Sequence, residues 1–249
     1  MEHLKAFDVM AFSKGRYAVS VAKSAQDIVD AQDLRGLCFN LAGRDSDAFD
    51  PNCAHILIRS LLDNRLVGCF RMLPVTGRSV QISYSAQFYD LEALSSFRGP
   101  MIELGRFCIH PDAQDPDIIR IAWAALTAYV DECQISMLFG CTSFAGTDTS
   151  VHQGVFELLG KRHAAPSRWA PQVKARDVFN FKRDGRAEFD TKQALARMPP
   201  LLRTYLLMGG WVSDHAVFDR DLKTMHVFTA VDINAIPQAR KRRLRALVG

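Results

Sequence analysis

The segment Met101-Ile-Glu-Leu-Gly-Arg-Phe-Cys-Ile-His110-Pro111 carries two charges, Glu103 and Arg106, inside an otherwise apolar run. Burying a charge is costly unless it is paired or used. Residues three apart on a regular strand point to opposite faces. A bulge at Gly105 would bring both side chains to one face and splay the strand from its neighbour. The expectation is therefore a splayed or bulged backbone at Leu104–Phe107. A carboxylate beside such a strand can take a proton from an attacking amine. Backbone N–H groups freed from the ladder can polarise a carbonyl. A Glu103–Arg106 ion pair that only holds the sheet together explains the same residues, and the residues alone leave both readings open.

Other candidates lie in polar loops or on apolar segments. Asp47 and Asp50 sit in the turn-rich stretch Gly-Arg-Asp-Ser-Asp-Ala-Phe-Asp-Pro-Asn that ends at Asn52. Loop aspartates more often cap turns than bind a ligand. Arg35, Arg71 and Arg106 each offer a guanidinium fork that suits a carboxylate, either a ligand's or a neighbouring acid's. His55 and His110 fall at strand ends, where a histidine is more often a hydrogen-bonded structural residue than a proton carrier. The six cysteines are scattered without a CxxC pair, which is not zinc-site spacing and suits reduced, buried thiols. Cys108 has no activating histidine near it in sequence.

These residues need elements to position them. Tyr17, Val19 and Val21 alternate as a first strand. Ser24 can cap a helix to about Phe39, with Ile28, Ala31, Leu34, Arg35 and Cys38 near helical spacing. His55–Arg59 and Leu66–Leu73 read as a hairpin about Asp63-Asn64. Met101–His110 reads as a strand, Asp117 to Cys133 as an amphipathic helix, Ser136–Thr142 as a buried strand and Ser150–Gly160 as a short helix. Pro199-Pro200 opens a helix that Gly209-Gly210 closes. Val217-Phe218 and His226–Val231 read as a closing strand pair. That order suits an α+β domain with a mixed central sheet flanked by helices. No GxGxxG or Walker loop points to a doubly wound nucleotide fold.

The 249 residues, 48% of them hydrophobic and 23% charged, fit one globular domain: a core over about 17–163 and a C-terminal extension over about 164–249. No apolar run is long enough to span a membrane, and the N-terminus does not read as a signal peptide, so a cytoplasmic protein is expected. The net charge of +4 is segregated. Residues 161–186 carry eight Lys/Arg against Asp177 and Asp184. Residues 235–249 carry Arg240, Lys241, Arg242, Arg243 and Arg245 with no acid. Such clustering suits an acidic partner or an anionic surface.

Three strings resemble the acyl-homoserine lactone (autoinducer) synthases, a GNAT-like group: His55-Ile-Leu-Ile, Val67-Gly-Cys-Phe-Arg71-Met-Leu-Pro74 and Glu103-Leu-Gly-Arg106-Phe-Cys-Ile-His-Pro111. In that resemblance Arg35, Phe39, Asp47, Asp50, Arg71, Glu103 and Arg106 match the group's functional positions. The group's tryptophan after the N-terminal Phe has no counterpart, because residues 40–46 read NLAGRDS. That departure argues against S-adenosylmethionine as the amine donor. Leu138-Phe-Gly-Cys-Thr-Ser-Phe-Ala-Gly-Thr-Asp148, Met198-Pro-Pro-Leu-Leu-Arg-Thr-Tyr-Leu-Leu-Met-Gly-Gly210 and Val227-Phe-Thr-Ala-Val resemble the L-ornithine Nα-acyltransferases, haemolysin-like enzymes that make lyso-ornithine lipid.

The resemblance runs from about Tyr17 to Arg243. It implies transfer of a 3-hydroxy fatty acyl group from acyl carrier protein to the α-amino group of ornithine, with no metal and no cofactor beyond the carrier's phosphopantetheine. Glu103 and Arg106 are the catalytic candidates. Arg35, Phe39, Asp47, Asp50, Arg71, Ser143 and Asp148 are candidates for substrate binding, and Phe107, Cys108 and Ile109 for the acyl-pantetheine arm. Acyl carrier protein and ornithine are the implied partners, with residues 161–186 as the docking surface. The basic tail is placed for peripheral contact with the inner face of the membrane. No nucleic acid is implied. An acyl-homoserine lactone synthase and a non-catalytic, lipid-binding haemolysin-like protein are the alternative readings.

Overall fold

A computed structural model describes residues 8–113, 115–181 and 191–246. The strands among them are β1 (Phe12–Lys14), β2 (Tyr17–Val21), β3 (Ala54–Ser60), β4 (Leu66–Val75), β5 (Tyr89–Asp90), β6 (Met101–Ile109), β7 (Met137–Ala145), β8 (Gln172–Val173), β9 (Val178–Asn180), β10 (Trp211–Val212), β11 (His215–Asp219) and β12 (Thr224–Asp232). The chain divides into two compact units. The first comprises Met1–Pro74, Leu104–Ser136 and Gln238–Gly249, and the second Val75–Glu103 and Met137–Pro237. Strand β6 begins in the second unit and continues into the first.

In the first unit the strand order is β1-β2-β3-β4-β6. The β3–β4 hairpin pairs antiparallel, with Ala54 opposite Met72 and Ile58 opposite Gly68. Asn64 takes a left-handed φ of 59° in the turn, a conformation that a short polar side chain tolerates. The helix Ala25–Cys38 starts at Ser24 in a full capping box, in which Ser24 and Asp27 satisfy each other's backbone N–H groups. Its Ala31 and Leu34 pack on Leu57, Leu66, Cys69 and Cys108. The helix Pro116–Glu132 buries Ile118, Ile121, Ala122, Ala125, Leu126 and Tyr129, the stripe its spacing predicts.

In the second unit β6, β7, β12, β11 and β9 follow in that order, and β10 also pairs with β12. Parallel pairing joins Met101, Ile102 and Glu103 to Met137, Leu138 and Phe139. The antiparallel β7–β12 ladder runs from Met137 opposite Asp232 to Ala145 opposite Thr224. Strand β7 is thus longer than the expected Ser136–Thr142. Its alternation puts Phe139, Cys141 and Ser143 on one face and Thr142 and Phe144 on the other. Phe144 joins Val155, Phe156 and Leu159 of the helix Thr149–Arg162, Leu202 of the helix Pro200–Leu207, and Met225 and Val227 in one core. Phe156 and Phe181 stack there with centroids 5.0 Å apart. The Pro200–Leu207 helix ends as its sequence predicts, with Gly209 in the left-handed region at φ 89°.

All six cysteines are free, but only Cys69 and Cys108 are fully buried. The expectation of generally buried thiols is corrected to that extent. Among the described residues no helix is long and apolar enough to cross a membrane.

Candidate active site

In the first unit the three candidate arginines and the loop acids form one closed ring. Arg35 donates from Nε to Asp45 Oδ2 at 2.7 Å and from Nη1 to Asp50 Oδ1 at 2.7 Å. Arg71 donates to Asp50 Oδ1 at 2.8 Å and to both oxygens of Asp47 at 2.6 and 2.8 Å. Arg106 closes the circuit, with Nε 2.8 Å from Asp45 Oδ2 and Nη2 3.1 Å from Asp47 Oδ2. Cations and carboxylates therefore alternate, three of each. That neutrality permits the burial of Arg35 and Arg71, since unpaired charges could not be taken from water so cheaply.

Local geometry brings the ring together. A Cβ on Gly36 would lie 2.2 Å from the carbonyl oxygen of Gly43, so only glycine lets the acidic loop lie against the helix. Asp45 N–H then donates to Gln32 O at 3.1 Å. The Arg106 guanidinium stands 5.6 Å from the ring centroid of Phe39, and that of Arg71 5.8 Å from Phe49.

The backbone departure in β6 falls within the expected stretch Leu104–Phe107, at Arg106 rather than at the Gly105 named for a bulge. Arg106 takes the left-handed conformation, at φ 52°. The Arg71 side chain passes Gly105 with its Nε 3.4 Å from where a Cβ would stand, an ordinary contact distance. A left-handed arginine costs roughly 1–2 kcal/mol, which the two ion pairs of its side chain offset.

Burial opposes ionisation of Asp50, yet the hydrogen bond and charge of Arg35, with Gln32 and Arg71, hold its carboxyl well below the usual carboxylate range. Asp47 is depressed in the same way, burial being outweighed by Arg71 and Arg106. Asp50 has both oxygens engaged and is buried, whereas the Asp47 side chain is 20% exposed and that of Arg106 10%. His55 is held below the usual histidine range by burial, which outweighs its bond to the carbonyl oxygen of Asp50 at 3.1 Å. His110 Nδ1 accepts from Asp112 N–H at 3.2 Å and closes a turn.

Phe107 stacks on Phe70 at 5.4 Å, and Ile109 O accepts from Cys38 Sγ at 3.3 Å. Cys108 is buried beside Cys38 and Cys69. The Cys38 contact favours its thiolate, but Cys69 and burial push the thiol well above its usual range.

In the second unit Glu103 is 5% exposed and its carboxylate is clamped by one turn. Tyr84 N–H donates to Oε2 at 2.8 Å. Ser85 N–H and the Ser85 hydroxyl donate to Oε1 at 2.7 and 2.6 Å. Ser85 Oγ also lies 3.4 Å from Cys141 Sγ. Ser143 is exposed on β7 opposite His226. Asp148 caps the helix Thr149–Arg162, accepting from Ser150 N–H at 2.9 Å and the Ser150 hydroxyl at 2.7 Å.

Sequence reasoning missed Asp45, Tyr84 and Ser85. A signal for Asp45 exists: three arginines on apolar segments require three acids, and the loop holds three. No local pattern marks Ser85.

Residues 34–124 match the acetyltransferase (GNAT) domain family. An L-ornithine N(alpha)-acyltransferase of Rhodobacter capsulatus is 31% identical over 248 residues, which cover 92% of this chain and 95% of that one. A second L-ornithine N(alpha)-acyltransferase, of Brucella abortus, is 28% identical over 89% of this chain and 86% of its own. Among solved structures, FeeM, an N-acyl amino acid synthase from uncultured soil microbes, superposes with a TM-score of 0.51 at 9% identity, over 94% of this chain and 98% of that one, and shares the fold. The mixed sheet with its flanking helices is thus a GNAT-type α+β fold, and the chain belongs to the L-ornithine N(alpha)-acyltransferase family.

Proposed function

We propose that the protein transfers a fatty acyl group, of the 3-hydroxy class, from the phosphopantetheine thioester of acyl carrier protein to the α-amino group of L-ornithine. The observation that carries the chemistry is the buried Glu103 carboxylate, held by Tyr84 and Ser85. The names of the relatives support the acceptor.

The reaction is redox-neutral and needs no metal. Ornithine's ammonium group loses one proton to become nucleophilic. The amine nitrogen attacks the thioester carbon, the N–C bond forms, and the C–S bond then breaks. The nitrogen loses a second proton, the leaving sulfur takes one up, and one proton is released in net. Glu103 is the acceptor for a proton leaving nitrogen. The backbone of Phe107–Ile109 runs beside the pantetheine arm and supplies N–H groups to the developing oxyanion. Asp47 and Arg106, the partly exposed members of the ion-pair ring, offer charge to the ends of a zwitterionic amino acid. Asp50, Arg35 and Arg71 hold them in place.

Acyl carrier protein is acidic, so the basic stretch 161–186 is proposed as its docking surface. The helix Gln238–Arg245 is tied down by Arg245, which forks onto Asp131 at 2.8 Å through each nitrogen. It exposes Arg242 and Arg243, which suits contact with an anionic leaflet near the amphiphilic product. Sedimentation with anionic but not neutral vesicles is expected, and equal recovery with both would remove the contact.

The deciding experiment incubates the protein with acyl carrier protein loaded with a 3-hydroxyacyl chain and ornithine, lysine, glutamine or S-adenosylmethionine, and reads products by mass spectrometry. N-acylornithine should dominate. Glu103→Gln should lower turnover about 10²–10⁴-fold, far more than it lowers stability, although its amide nitrogen would face a backbone N–H of Tyr84 or Ser85 and cost some stability too; turnover should recover partly at high pH. Acylhomoserine lactone as the product would replace this reading by the autoinducer synthase one.

A further inference from the structure

We propose that Ser85 is the positioning residue for Glu103: its hydroxyl fixes the orientation in which this carboxylate accepts a proton. The inference rests on the reading of Glu103 as the proton acceptor. Ser85 lies 18 residues before Glu103 in sequence and is fully buried. A buried hydroxyl is costly unless hydrogen-bonded. Its two neighbours are Glu103 Oε1 at 2.6 Å and Cys141 Sγ at 3.4 Å.

The direction of these bonds follows from chemistry. An ionised carboxylate only accepts, so the single hydroxyl proton goes to Glu103 and the Cys141 thiol donates to Ser85 Oγ. Two of the three donors from the turn therefore come from one residue, onto one oxygen. The backbone N–H remains whatever side chain stands there; the hydroxyl is what serine adds.

The turn that carries Ser85 is built separately. Ser83 Oγ donates to Val80 O at 2.6 Å and accepts from Ala86 N–H at 3.3 Å. Lys174 Nζ donates to Ala86 O at 2.6 Å. Ser83 is almost as buried as Ser85, but these bonds of its hydroxyl close the turn itself. Ser83→Ala therefore serves as a control for a merely structural loss.

The test measures kcat, KM and the pH–rate profile for Ser85→Ala, Ser85→Thr, Ser83→Ala and Glu103→Gln, each with its thermal midpoint. One hydrogen bond to a charged group is worth a factor of roughly 10–100. Ser85→Ala should lower kcat by about that factor and leave KM for both substrates nearly unchanged. Its acid limb should move to higher pH, because the charged carboxylate loses a donor. Ser85→Thr should restore both, and Ser83→Ala should lower the thermal midpoint without moving the limb. An unmoved limb in Ser85→Ala with Glu103→Gln inactive would overturn the Ser85 role alone. Wild-type turnover in Glu103→Gln would overturn both assignments. Should Ser85→Ala not fold, Ser85→Cys substitutes a weak donor of similar size. The same shift is expected there, and its absence overturns the proposal.

Discussion

Arg35 and Arg71 share one oxygen: both guanidinium groups reach Oδ1 of Asp50, at 2.7 and 2.8 Å. Two buried cations converge on one acid, with Asp45 and Asp47 balancing the remaining charge. Removing that acid strands charge out of water, which differs in kind from trimming a surface pair.

Asp50→Ala should therefore destabilise the protein by about 3–5 kcal/mol, the cost of breaking a buried pair from one side. Asp33→Ala removes the partner of Arg44 in an exposed pair and should leave stability unchanged. Urea unfolding of the two variants checks this, and equal effects would mean that the ring contributes no more than surface charge.

Acid should weaken the fold in two stages. His55 is depressed by burial, so the unfolded chain takes up its proton first; stability falls as pH drops through about 6.5 towards its folded value. His163, depressed by burial and by Arg162, adds to the same slope. Asp50 and Asp47 are depressed by the arginines against the effect of burial. Their contribution is complete above the ordinary carboxylate range of about 4 and is lost as pH falls below it. Urea midpoints between pH 8 and pH 3 should show both stages. His55→Gln should flatten the upper stage only in part, because His163 remains.

The left-handed arginine offers a comparison of two deletions. Arg106→Ala and Arg106→Gly lose the same ion pairs with Asp45 and Asp47. Glycine adopts positive φ without a Cβ penalty, so Arg106→Gly should be the more stable variant by about 1 kcal/mol. A more stable alanine variant would mean that the backbone at 106 relaxes once its side chain is gone.

Carrier docking can be tested on residues 161–186, but not with every cation named by sequence. Lys174 is bonded to Ala86 O in the turn that clamps Glu103, so reversing it would disturb that turn as well. Lys182, Arg183 and Arg186 lie outside the described residues. Lys161, Arg162, Arg168 and Arg176 are the informative set, all exposed. Reversing their charge should raise KM for acyl carrier protein and spare activity on a small acyl-pantetheine. The difference should shrink with salt, which screens exposed charges over roughly 8–10 Å. Equal loss with both donors would mean a damaged fold.

The sequence by itself determined the main elements and several of their ends, though β7 runs past its expected end to Ala145. The Ser24 capping box, the hairpin about Asp63-Asn64, the stripe from Ile118 to Tyr129 and the Gly209 stop are set by contacts within a few residues, and side-chain spacing displays them directly. Its longer strings also carried the family. Only the tertiary structure decided which charge meets which. Arg106 pairs with Asp45 and Asp47, about 60 residues back by the separations of 61 and 59, and Glu103 is held by Ser85, 18 residues before it. It likewise placed the left-handed residue at Arg106 rather than at Gly105. Secondary structure is written in local periodicity. A buried ion pair is chosen by three-dimensional distance and by the requirement that charge taken from water be neutralised, and neither has a period that a sequence can show.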